Sequence, residues 1–314
     1  QLIASDATFT ISSDASFNSV TVGKGANSVA GNTVLGETAL DASVTGGNNT
    51  AIGKNALTAL TSGERNTAIG GSALLSVTTG YTNTAVGFES LKSNTEGFRN
   101  SAFGDRTLRD NTTGDQNTGL GKEALLSNTT ADNNTAIGYE SLKSNTTGTE
   151  NVAVGANALD ANTTADANTA IGYNSLTTNT TGAENTSVGQ GSLRFNETGS
   201  NNVSVGRNAL EDNTASNNTA CGYKALTENT TGTNNVAVGA NALDANTTGQ
   251  QNIGIGSHAL SGVTTGDFNT AIGHEALFAN TTADNNTAVG RFALVSNTTG
   301  AQNVALGNSA LEQN

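Results

Sequence analysis

The side chains that could carry chemistry are few and scattered along this chain of 314 residues. Acidic neighbours such as Glu211 and Asp212 suggest a glycosidase pair, which needs two carboxylates held at a set separation in a cleft. Nothing in the spacing of the acids marks one pair as special. We therefore predict no enzymatic activity and no catalytic residue.

Metal and cofactor chemistry is also poorly supported by the residue pattern. The two histidines, His258 and His274, are not accompanied by the Cys or Glu-x-x-His spacings that hold zinc. Asp and Asn recur in predicted turns, but the glycine-rich nonapeptide of calcium-binding β-rolls is absent. We expect solvated histidines, no metal site and no cofactor.

A set of aromatic residues recurs at one sequence spacing and could form a strip that stacks on sugars. These candidate glycan contacts are Phe88, Tyr139, Tyr173 and Tyr223. The alternative is incidental tolerance, because Lys54, Asp105, Ala156 and Arg207 fill the same position in other copies of the pattern.

Asn-x-Thr sequons also recur at a fixed spacing, and in a secreted eukaryotic protein they could carry a stripe of glycans. The candidate glycosylation sites are Asn128, Asn145, Asn162, Asn179, Asn246 and Asn297. The alternative is that Asn and Thr simply suit turns. The recurring Thr also permits an ice-binding face, which is less favoured because many of these Thr lie in predicted turns.

These residues are positioned by a 17-residue repeat, N-T-A-I-G-x-x-A-L-x-x-N-T-T-G-x-x. Seventeen units begin with Asn, the first at Asn32 and the last at Asn303, and the unit at Asn202 has 16 residues. Self-similarity at a short fixed period predicts a solenoid. The missing residue falls between Asn213 and Asn217, where a turn can absorb it.

Within the unit, position 5 is always Gly, position 9 is always Leu, position 4 is apolar, position 3 is nearly always small and position 8 is mostly small. We predict two short strands, near positions 1–5 and 7–11, with the larger apolar side chains inside the coil. The small side chains are expected to face a second chain. Cys221, at position 4, is expected to be a small buried apolar residue. The predicted structural residues are Gly53, Gly138, Gly172, Gly239, Leu57, Leu142, Leu176, Leu243, Ile52, Ile137 and Ile171.

Composition limits the classes of partner. The formal net charge of −13 argues against nucleic-acid binding, which needs a basic surface. No apolar run reaches the length of a membrane span, so we expect no membrane insertion. Because the chain starts at Gln1 and has no Met, we expect a processed product or part of a longer protein.

The N-T-A-I-G and N-V-A-V-G units resemble the S-V-A-I-G repeats in the heads of trimeric autotransporter adhesins, which are parallel β-rolls of three chains about one axis. The longer unit containing N-T-T-G is similar to repeats in tail-fibre-like proteins of bacteriophages. The resemblance covers residues 32–314 and implies a fibrous β-repeat. Neither family implies catalytic residues.

We therefore predict an all-β chain: a parallel β-solenoid of 17-residue coils, assembled as a homotrimeric fibre. Residues 1–31 would form a cap or joining segment and residues 32–314 the repeat array. The expected function is the shaft of a phage tail fibre or similar appendage, in the virion or outside the cell, that supports attachment to a host surface and contacts its polysaccharide. The alternatives are the head or stalk of a bacterial adhesin and a self-assembling, glycosylated extracellular filament.

Overall fold

The computed structural model describes residues 14–313. The first part of the predicted joining segment, including Phe9 and Ile11, lies outside the described residues. The described chain is almost entirely β-strand and turn, with a single short 3-10 turn at Ala26–Ser28.

Nineteen short strands are present among the described residues, and almost all of them span three residues. They are β1 Ala15–Phe17, β2 Val20–Gly23, β3 Thr33–Gly36, β4 Thr50–Ile52, β5 Thr67–Ile69, β6 Thr84–Val86, β7 Ser101–Phe103, β8 Thr118–Leu120, β9 Thr135–Ile137, β10 Val152–Val154, β11 Thr169–Ile171, β12 Thr186–Val188, β13 Val203–Val205, β14 Thr219–Cys221, β15 Val236–Val238, β16 Ile253–Ile255, β17 Thr270–Ile272, β18 Thr287–Val289 and β19 Val304–Leu306.

The contacts divide the chain into two compact units, Gln1–Gly119 and Leu120–Asn314. In the first unit, β3 to β7 pair in parallel with each strand beside the next in sequence. In the second unit, β9 to β19 pair in the same way, so that Val152 lies beside Thr169 and Ala153 beside Ala170. Each unit is therefore a parallel β-solenoid, in which equivalent repeat positions stack at about 4.8 Å per coil.

Each coil has one strand, at positions 2–4, and the predicted second strand near positions 7–11 is wrong. Positions 7 and 9 have left-handed backbone angles in coil after coil; Asn174 has φ 53° and Leu176 φ 53°. Such residues turn the chain and cannot continue a strand. The backbone N–H of Leu176 instead donates to the carbonyl of Ser192 in the next coil, so the turn also stacks by hydrogen bonding.

The small side chains at positions 3 and 8 point into the coil, which corrects the prediction that they face a second chain. Ala170 and Ala237 are fully buried together with the position 9 leucines. Space explains this arrangement, because a Cβ added at Gly254, a position 3 residue, would lie only 3.2 Å from Cγ of Leu243. The leucine fills the narrow interior and, in every coil after the first, leaves room opposite it only for Ala, Ser or Gly; in the first coil Val34 is buried at this position. Fully buried are Leu57, Leu142, Leu176 and Leu243.

Two ladders of asparagine amides complete the interior. At position 1, Asn252 donates its side-chain amide to the carbonyl of Gly266 (2.7 Å) and accepts a hydrogen bond from the backbone N–H of Asn269 (2.9 Å). At position 12, Asn246 donates to Asn229 of the preceding coil (2.8 Å) and to Gly249 of its own (3.1 Å). These bonds satisfy turn carbonyls that lie away from water.

The 16-residue coil keeps this interior intact, as expected for a change in a turn. Asn202 donates to Ala215 in the shortened turn, and the N–H of Asn218 donates to Asn202 as its equivalents do elsewhere. Strand β13 remains in register with β14, with Val205 beside Cys221.

An antiparallel hairpin, β1 and β2, precedes the first coil and pairs with β3. The carboxylate of Asp14 accepts hydrogen bonds from the N–H groups of Lys24 and Gly25 (2.7 and 2.6 Å). The hairpin therefore supplies backbone partners for one edge of the first unit's sheet, an edge that would otherwise present unpaired polar groups.

Candidate functional site

The strands of each unit display an uncharged outer face, formed by the side chains at position 2, which are mostly Thr, and at position 4, which are apolar. In the second unit this outward strand face runs from β9 to β19, and every residue in it is Thr, Val, Ile, Leu or Cys. Ile171, Val238 and Ile272 are 40%, 37% and 39% exposed. The side chains of Ile52, Ile137 and Ile171, at position 4, were predicted to lie inside the coil, and this prediction is wrong. Successive side chains along a strand point to opposite faces, so position 4 faces outward because Ala at position 3 faces inward.

Cys221 belongs to this face, between Val205 and Val238 on the neighbouring strands. Its thiol is free and exposed, so the prediction that it is buried is wrong. The error has the same cause as that for the isoleucines, since position 4 faces away from the coil interior.

The flank that follows the strand carries the aromatic residues at position 6. Phe88 lies in the first unit and is 51% exposed; Tyr139, Tyr173 and Tyr223 lie in the second and are 48%, 53% and 47% exposed. Consecutive coils stack at this position, since the N–H of Gly191 donates to the carbonyl of Tyr173 (3.0 Å). The predicted aromatic residues are thus accessible, and charged and amide side chains share the column with them.

Tyr139 is tied to a group of charged residues at positions 7 and 10. Lys143 contacts both Glu140 (2.8 Å) and Glu123 (3.0 Å). The hydrogen bond to Glu140 raises the pKa of the Tyr139 phenol, while that from Lys143 lowers the pKa of Glu140. Lys143 thus bridges the carboxylates of Glu140 and Glu123, which lie on adjacent coils.

Asp160 is the exception on this flank. Burial is the largest influence on the pKa of Asp160 and raises it. Backbone hydrogen bonds oppose this shift, whereas the nearby charge of Glu140 adds to it, and the net effect is a raised pKa. Its Oδ1 atom is buried without a hydrogen-bond partner. The ionised form of this carboxyl is therefore an electrostatic cost to the folded coil.

The sequon asparagines at position 12 lie inside the coil. Asn128, Asn145, Asn162, Asn179 and Asn246 are fully buried and Asn297 is 2% exposed. The Asn179 amide donates to Gly182 (2.9 Å) and to Asn162 (3.1 Å). A glycan on such a nitrogen has no space in the folded coil, so turn formation and the amide ladder account for these residues.

The histidines lie on the flank of the second unit, with ring centroids 6.4 Å apart. His258 contacts the amide of Asn241 (3.2 Å), and His274 packs edge-on against Phe292 at 5.6 Å. Between residues 14 and 313, no group of three or more His, Cys, Asp or Glu is placed to hold a metal ion. Over the same residues, no helix is long and apolar enough to cross a membrane.

Two features at position 16 were not predicted from the sequence. In the first unit, Tyr81 and Phe98 stack face to face with ring centroids 4.9 Å apart. In the second unit, Asp267 accepts the backbone N–H of Gln250 (2.7 Å), and Asp284 accepts that of Asp267 (2.8 Å). The signal was the recurrence of aromatic or acidic residues at the same position in adjacent units.

Fold and surface together define a class, the parallel β-solenoids with one strand per coil and a regular, uncharged strand face. Comparison with protein-family models and with curated proteins gave no match to this chain.

Proposed function

We propose that the protein is a structural segment of an extracellular or virion fibre, built from identical chains that pack through the outward strand face. The observation that carries this proposal is the row of half-exposed Ile and Val at position 4 of successive strands, with no charge among them. Contiguous exposed apolar surface of this kind marks a binding interface. The role is mechanical, and it holds an attachment surface or tip away from its base.

A second copy of the chain is the partner that fits best. The face repeats at the strand spacing of about 4.8 Å, so only a partner with the same period can contact every coil equivalently. Identical chains that pack side by side in the same direction meet this condition and form a closed cyclic assembly. A trimer is proposed because the repeats resemble those of trimeric adhesin heads. Both a tail-fibre shaft and an adhesin stalk agree with this arrangement, and tail-assembly genes beside the coding gene would favour the first.

The proposal is tested by the oligomeric state of the purified chain in sedimentation equilibrium. We expect a trimer, and we expect the double variant Ile171→Lys, Val238→Lys to be monomeric, because it places charges in the proposed interface. The matched control is Thr181→Lys, Thr248→Lys, which adds the same charges in the same coils at exposed turn positions. A monomeric wild-type chain, or equal dissociation of the two double variants, would overturn the proposal.

Cys221 supplies an independent measurement. In a parallel assembly in register, the Cys221 thiols of neighbouring chains lie within the interface. We expect maleimide to label Cys221 slowly in the wild type and rapidly in the dissociated variant. Fast labelling of the wild-type oligomer would place the interface elsewhere.

A further inference from the structure

A groove on the flank of the second unit combines the groups that recognise a charged sugar chain. It is lined by Tyr173, Gln190, Arg194, Arg207, Asn208 and Glu211, and we call it the arginine groove. Three consecutive coils contribute to it. Gly191, which has no side chain, occupies position 7 at its centre and opens the space between the flanking side chains.

The residues at position 6 of successive coils lie in a column along the flank, and the span of this column determines the length of the groove. Backbone hydrogen bonds link Tyr173, Gln190, Arg207 and Tyr223 coil to coil: Gly191 N–H to Tyr173, Asn208 N–H to Gln190, and Lys224 N–H to Arg207, each at 3.0 Å. Three coil steps of about 4.8 Å place the two tyrosines about 14 Å apart. Both rings are about half exposed, so they form two platforms that flank an amide and a guanidinium.

The charges within the groove are ordered by contacts. Glu211 accepts a hydrogen bond from the Asn208 amide (2.6 Å) and lies 3.7 Å from a guanidinium nitrogen of Arg194. Arg194 in turn lies over the ring of Phe195, with its Cζ 4.8 Å from the centroid. Glu211 is thus already engaged and holds Asn208 and Arg194 in place.

Arg207 differs from Arg194 in its contacts with carboxylates. Over residues 14–313, Arg207 forms no ion pair, although carboxylates outnumber basic residues in the chain, 26 to 13. Arg207 lines the groove together with Arg194, and the Lys224 ammonium lies over the ring of Tyr223, 5.8 Å from its centroid. A guanidinium pairs with a carboxylate or sulfate through two parallel hydrogen bonds. The groove is thus a locally basic surface on an acidic protein.

We propose that the arginine groove binds an anionic oligosaccharide, with Arg207 pairing to its acidic group, Tyr173 and Tyr223 stacking on sugar rings, and the amides of Gln190 and Asn208 bonding to hydroxyls. The distance between the tyrosines suits a short chain of sugars and not a single one. This inference names a ligand for the attachment role proposed above and rests on that role.

The test is calorimetric titration of the full chain with three tetrasaccharides: an oligouronate, a sulfated oligosaccharide and a neutral glucan. We expect one or both anionic ligands to bind at least about tenfold more tightly than the neutral one, and their order distinguishes carboxylate from sulfate. We expect added salt to weaken this binding, because the ion pair is exposed and screened. Equal affinity for all three ligands, or no binding of any, would overturn the proposal.

Matched variants locate the site. Arg207→Gln and Tyr173→Ala should each weaken binding about tenfold or more. Arg291→Gln and Tyr139→Ala, at position 6 outside the groove, should change it less than about twofold. Equal losses in both sets would refute the assignment. The oligomeric state is measured for every variant and should not change, so a failure of glycan binding can be told from a failure of the shaft proposal.

Discussion

At the scale of single residues, the most unusual feature is the number of side-chain-bearing residues with left-handed backbone angles. They recur at positions 7, 9 and 17, and an L-residue in this region costs about 1–2 kcal/mol. At position 9 the cost is offset by complete burial of Leu in every coil but the last, where Leu311 is 49% exposed. At position 17 many coils have Asn, such as Asn234 and Asn285, which tolerates the conformation best after Gly.

Ala167 occupies position 17 with φ 57° and is exposed, so it bears this cost without compensation from packing. We expect Ala167→Gly to raise the free energy of unfolding by about 0.5–1 kcal/mol, because Gly adopts positive φ freely. The matched control is Ala161→Gly in the same coil, where φ is not positive and the substitution should cost a similar amount. Denaturation midpoints of the two variants should therefore move in opposite directions.

Asp160 gives a pH-dependent prediction. Its pKa is raised in the folded chain, so the ionised carboxylate costs stability above the folded pKa, and the cost disappears once pH falls below the unfolded pKa of about 3.9. We expect Asp160→Asn to be more stable than wild type at pH 7, because the neutral amide lacks the charge that burial disfavours. Melting curves should show this difference shrinking towards pH 3. A difference that is constant with pH would contradict this account.

At the scale of the coil, stability depends on contacts between neighbouring coils. The coil buries one large side chain, Leu, and little else that is apolar. Parallel backbone pairing and the two asparagine ladders therefore carry much of the stacking. The ladders are not equivalent, because position 1 is always Asn, whereas Leu60, Val77 and Val263 occupy position 12 in three coils and are also buried.

This difference predicts unequal costs for the same substitution. Asn252→Val removes the partners described above for the Gly266 carbonyl and the Asn269 N–H, so we expect a loss of about 2–4 kcal/mol. Asn246→Val should cost less, about 1–2 kcal/mol, because the Gly249 carbonyl keeps the Asn235 amide as a donor (2.8 Å) and the acceptor that loses its donor is Asn229 Oδ1. Thermal midpoints measure both losses, and amide exchange at Asn269 reports the first directly. Equal losses would show that the two ladders contribute alike.

At the scale of the whole molecule, charge is distributed unevenly among the surfaces. The net charge of −13 is carried by turns and flanks, while the outward strand face of the second unit has none. Acidic flanks favour solubility. The uncharged strand face leaves an apolar surface open to a partner, and the basic arginine groove is placed on the flank. Self-association and ligand binding are thus proposed for different surfaces of one coil.

The sequence by itself determined the period, the all-β solenoid, the tight turns and the stacking of equivalent positions, because a unit repeated with so little variation must make the same contacts each time. The tertiary structure alone decided which side of the strand faces inward. Both sides of the strand carry uncharged residues, so the pattern could not distinguish them. Only the width of the closed coil, filled by Leu176 and its equivalents, limits position 3 after the first coil to a residue as small as Ala170 and turns Ile171 and Cys221 outward.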